Sequence, residues 1–140
     1  MARLRPYPVT AFCAVTLFIW TNRIWLAWTN DTDTLVRKLV WSVPITAFVV
    51  AAVVIAGVML AGRVERTGWF VPLVRAFAAG TVLFWAIRAP MIALADHDVA
   101  FVVVHTVLAV ASVSTAIGAW RAVGRLGSTA AAEREPAPVS

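Results

Sequence analysis

Arg23, Arg88 and His105 each interrupt a long apolar run, and they are the residues of this chain best placed to do chemistry. An ionised side chain at the centre of a helix in hydrocarbon costs roughly 2.5 to 3.5 kcal/mol, so a residue kept there either escapes to the interface or serves a purpose. Arg23 lies five positions before Trp28, Arg88 eight before Asp96, and His105 seven after Asp98. At about 1.5 Å of rise per residue, all three fall roughly 8 to 12 Å below one membrane boundary. Asn22 and Ser42 fall near the same level, as does Trp85.

Two guanidiniums and an imidazole at one depth predict an anion site, because the arginine fork matches phosphate or carboxylate bidentately. Arg23, Arg88, His105 and Asn22 are its expected ligand-binding residues, with Arg23 turned to the interior. The plainer alternative is that Arg23 and Arg88 snorkel to the headgroups or pair with Asp31, Asp33, Asp96 or Asp98. His105 would then bond a neighbouring helix. A tilted third helix would carry Arg75 and Arg88, 13 positions apart, to opposite interfaces without burying either.

Asp31, Asp33, Asp96, His97 and Asp98 could offer oxygen and imidazole ligands to a divalent metal. Their spacing matches no known cage, and solvated caps or pairing with Arg37 and Lys38 explain them, so no metal is expected. No cofactor is expected either: a bis-imidazole haem site needs two facing histidines, and only His105 lies within a run. Proton-driven cation export would need a carboxylate inside a helix, and no run holds one. Without a paired nucleophile and base, the sequence reads as a non-enzyme.

The elements that must position these residues are helices in lipid. The chain has 140 residues, 61% of them hydrophobic, against about 45 to 50% in soluble domains. Its charged residues, 14% of the total, gather at the ends of apolar runs. These runs predict four transmembrane helices over about 8–28, 39–61, 70–94 and 99–120, within a domain of residues 1–127. Pro44 falls in the first turns of the second, and Pro90 is expected to bend or end the third near Arg88. Residues 128–140, rich in Ala, Glu and Pro, are expected to form a disordered cytoplasmic tail. Cys13, the single cysteine, reads as a small apolar residue.

Arg3, Arg5, Arg63, Arg66, Arg121 and Arg125 mark one side, and Asp31, Asp33, Asp96 and Asp98 the other. The positive-inside rule then places both termini and the middle loop in the cytoplasm, with Arg37 and Lys38 as the exception. Trp25, Trp28 and Trp41 fall at the outer interface, and Tyr7, Trp69 and Trp120 at the inner one, as aromatic belts require. Short connections make sequential helices antiparallel neighbours, so the predicted fold is an all-α, up-down-up-down four-helix bundle. The Arg- and Ala-rich composition suggests a bacterial plasma membrane.

The net charge of +5 has no basic run with interleaved aromatics, so nucleic acid is not an expected partner. The lipid bilayer is the expected surrounding. Small residues at i, i+4, such as Ala52 with Ala56 and Ala76 with Gly80, favour close helix contacts with another membrane protein or a second copy. The leading functional reading is therefore action by association, as an accessory subunit or a small homo-oligomer. The alternative is a small carrier or binder of an anionic lipid headgroup or solute through Arg23, Arg88 and His105.

Overall fold

The computed structural model describes residues 6–29 and 34–132, without the side chains of Trp41 and 126–132. It is all-helical over those residues: α1 (Tyr7–Thr29), α2 (Leu35–Leu60), α3 (Phe70–Leu94) and α4 (Val99–Ala132), with a short 3-10 turn at Val64–Arg66. Each of the four helices is long and apolar enough to cross a membrane. In lipid only a structure that satisfies its own backbone groups can span, and the α-helix does so within one segment.

Local signals fix the helix ends. At α2, Thr34 caps the N-terminus, its hydroxyl accepting from Arg37 N at 3.4 Å. The helix therefore starts ahead of the apolar run expected from residue 39, and Lys38 Nζ donates to the Trp28 carbonyl at 3.3 Å. It ends at a Schellman motif: Arg63 N donates to Val58 O at 3.1 Å and Gly62 N to Met59 O at 3.0 Å, with Gly62 at φ 67°. Asp98 caps α4, its carboxylate accepting from Phe101 N at 2.7 Å.

The expectation that Pro90 ends the third helix is corrected, since α3 keeps the expected bounds and runs on to Leu94; the ring removes one N–H bond to the carbonyl four residues back, and the helix continues past that single gap. Nor does α4 stop near Trp120, for it continues past Gly127 to Ala132. A helix need not end where the bilayer does, and Gly127 is tolerated within it at modest cost. The rest of the expected tail, 133–140, lies outside the described residues.

α1 packs along α2 and α4, and α3 along α4, whereas the junction of α2 with α3 is slight. One core cluster joins Val9 and Phe12 of α1, Ile55 and Met59 of α2, Phe70 and Val74 of α3, and Ala119 and Val123 of α4. A second gathers Ile19, Trp20, Trp85 and Ala109, with Ile45 and Phe48 packed against it. Cys13 is buried, consistent with an apolar role. Large apolar side chains cover the outside, Phe18 and Trp25 each 70% exposed, a surface suited to hydrocarbon rather than water. Tyr7, Trp28, Trp69 and Trp120 are also exposed. Buried Thr81 satisfies its hydroxyl by donating to Phe77 O at 3.0 Å.

Candidate functional site

The second core cluster forms the floor of a place where charge enters the bundle. Trp20 stacks on Trp85 with ring centroids 6.1 Å apart and meets Phe84 edge-on at 5.1 Å. Such offset and T-shaped pairs set the rings firmly against one another. Beside them a small pocket is lined by Ile19, Trp20 and Arg23 of α1, Phe84, Trp85 and Arg88 of α3, and His105 and Leu108 of α4. Arg23, Arg88 and His105 thus border one cavity from three helices.

Both arginines are half-buried, and among the described residues no carboxylate lines the pocket. His105 is 8% exposed and Trp85 4%. His105 Nδ1 lies 2.8 Å from the Phe101 carbonyl, one turn earlier in α4. A carbonyl can only accept, so Nδ1 carries the proton, and Nε2 is a bare acceptor in the neutral ring. His105 Nε2 and Trp85 Nε1 are both buried without a hydrogen-bond partner. Unpaired buried polar atoms are uncommon in folded proteins and point to an occupant or a functional demand.

The cavity volume of about 20 Å³ is room for one water-sized guest. The pocket is open on one side, so a larger group can present one oxygen while its bulk stays outside. What it can receive is a single small anion, or one anionic oxygen of a larger group, held by guanidinium and indole N–H donors.

Two residues expected at this level lie elsewhere. Asn22 is exposed, and its amide nitrogen donates to Phe18 O at 2.7 Å, so it faces away from the pocket. Ser42 accepts from Trp28 Nε1 at 3.1 Å, which ties α1 to α2. Trp85, noted in the sequence only for its depth, contributes an unpaired donor that spacing could not reveal. Arg75 is exposed, its guanidinium 5.5 Å from the Trp120 ring centroid. Arg88, by contrast, is drawn in.

Among the described residues no group of three or more His, Cys, Asp or Glu could hold a metal ion. Asp96, His97 and Asp98 are exposed, with Asp98 used as a helix cap. Asp31 and Asp33 lie outside the described residues. No protein-family model, curated protein or solved structure matches this chain.

Proposed function

We propose that this is a small multi-pass protein of a bacterial plasma membrane, with both termini cytoplasmic, that binds a small anion in its outer-leaflet pocket and transforms nothing. The observation that carries the reading is the meeting of Arg23, Arg88 and His105 at one cavity, with no carboxylate among its described lining residues. Two like-charged guanidiniums bordering one half-buried pocket repel one another, and an anion there offsets that repulsion. The up-down-up-down arrangement is supported by the core clusters, in which the start of α1 and the end of α2 share neighbours. The orientation is supported by the arginine bias and the aromatic belts.

The test is anion binding by purified protein in nanodiscs. Arg23→Lys keeps the charge and loses the planar fork; Arg23→Ala loses both. A guanidinium that holds the anion predicts a drop of roughly tenfold or more for Arg23→Lys and a larger one for Arg23→Ala. Binding by both variants equal to that of the wild type would remove Arg23 from the site.

Association is the second reading, favoured by the slight α2–α3 junction. There a groove of about 210 Å³ is lined by Ala47, Ala51, Ala76 and Gly80 together with Phe48, Leu73 and Phe77. Small residues let a helix of a second copy approach closely. Crosslinking through Ala51→Cys in native membranes tests it; a strictly monomeric product would oppose it.

A further inference from the structure

We propose that a groove between α3 and α4 seats one acyl chain of an anionic phospholipid, whose phosphate is held at the basic end of the groove by Arg121 and Arg75. The site is separate from the pocket that Arg23, Arg88 and His105 line, and the inference does not rest on that pocket.

The groove has a volume of about 420 Å³, and its walls are hydrocarbon for most of their length: Ala78, Ala79, Val82 and Ala86 of α3 face Ala116 and Ile117 of α4. Residue size gives it this shape. Ala78 and Ala116 are buried in the helix contact and form the floor, whereas Val82 and Ile117 stand exposed as walls. Small side chains between larger ones leave a channel where two helices approach closely. In a bilayer such a channel fills with a lipid tail, and the end of the groove decides which lipid.

Trp120 and Arg121 line that end, and the Arg75 guanidinium lies 5.5 Å from the Trp120 ring centroid, so two cations flank one indole. All three side chains are exposed. A guanidinium presents paired N–H donors to phosphate oxygens, and an exposed indole suits the level where hydrocarbon gives way to headgroups. Ala86 lies eleven positions beyond Arg75 on α3. At about 1.5 Å per residue that is roughly 16 Å, close to half of a hydrocarbon core of about 30 Å. The groove therefore reaches from headgroup level to the middle of the bilayer, the depth of one chain in one leaflet. Charge selects the occupant further. A helix of a second copy, inserted in the same sense, would bring its own arginines to this level, and the ammonium of a zwitterionic lipid would oppose them as well. An anionic headgroup offsets both guanidiniums.

Electron paramagnetic resonance of spin-labelled phosphatidylglycerol and phosphatidylcholine with identical chains, in phosphatidylcholine vesicles holding the full chain, reads immobilised lipid and its headgroup preference. The wild type should prefer the anionic probe. A basic side chain near the membrane surface is worth about fivefold, so Arg121→Gln should lower the preference by that factor and its combination with Arg75→Gln should abolish it. Ala79→Phe fills the groove from an exposed position, keeps every charge, and should remove the preference too. Arg66→Gln deletes an exposed cation outside the groove and should change nothing. Unfolding midpoints check the fold of each variant, and chloride binding, which reads the pocket of Arg23, Arg88 and His105, should be the same in all of them. No preference in the wild type, or an undiminished one in the double arginine variant, would overturn the headgroup assignment. An undiminished preference in Ala79→Phe would overturn the groove and leave surface charge alone as the attraction. A disulfide-linked dimer formed through Ala79→Cys in native membranes would give the groove to a second copy and overturn the lipid.

Discussion

The guanidinium of Arg75 lies over the Trp120 ring, 5.5 Å from its centroid, and joins α3 to α4 away from the pocket that Arg23, Arg88 and His105 line. Gly124 stands beside the contact, where a Cβ would meet an Arg75 terminal nitrogen at 3.5 Å, an ordinary van der Waals distance. Arg75 and Arg88 share a helix and do different work: one packs at an exposed site, the other borders a cavity. Arg75→Ala should lower stability by about 0.5 to 1 kcal/mol, the usual worth of an exposed cation–π contact. Thermal unfolding in detergent measures it, and chloride affinity should be unchanged.

Gly62 takes φ 67° at the end of α2, a left-handed conformation that a Cβ penalises. Nothing lies within 4 Å of the position a Cβ would occupy, so the effect is purely conformational. Gly62→Ala is expected to cost about 1 to 2 kcal/mol. An unchanged unfolding midpoint would show that the motif holds α2 less firmly than its two hydrogen bonds imply.

Trp85→Phe removes the buried, unpaired indole N–H while keeping an aromatic ring in the floor of the pocket. Loss of buried ring atoms from the packed floor should lower the stability of the anion-free protein by about 0.5 to 3 kcal/mol. The midpoint gain produced by added chloride should shrink. Asn22→Ala is the matched control: its amide is spent on Phe18 O, so chloride binding should not change. A loss of binding in Asn22→Ala would mean that α1 is rotated from the orientation described.

Reporter fusions within 62–68 and after Gly127 should read cytoplasmic, and fusions at Asp31 or His97 external. The motive is the arginine bias of the short loops. A C-terminal fusion on the outer side would invert the map and move the pocket of Arg23, Arg88 and His105 to the cytoplasmic leaflet.

The helices were legible because a span in lipid must be helical, which makes the length of an apolar run a length of structure. Residues 70–94 of α3 match in full. Depth was legible for the same reason, and counting at fixed rise brings Arg23, Arg88 and His105 to one level. Azimuth was not. Asn22 and Arg23 are neighbours in sequence, yet a step of one residue turns about a quarter of the way round a helix, and Asn22 falls outside. Ser42 has the right depth, but Trp28 claims it. The pocket's volume depends on how Trp20, Phe84 and Trp85 stack, and no spacing rule contains that. The reach of α4 beyond Trp120 was hidden because hydropathy reports lipid contact, whereas helix formation continues wherever the backbone is left free to bond.

His97, Phe101 and His105 stack one turn apart along α4, with ring centroids 4.3 Å and then 3.9 Å apart. The chain has no other histidines. Phe101 therefore bathes both imidazoles in its ring current, one in the exposed loop and one beside the pocket. Their ring-proton resonances should be displaced from the positions of free histidine and separated from one another by environment. An NMR spectrum of this protein thus carries its own pair of reporters, the loop imidazole acting as an internal reference for the buried one, with no label introduced into the bundle.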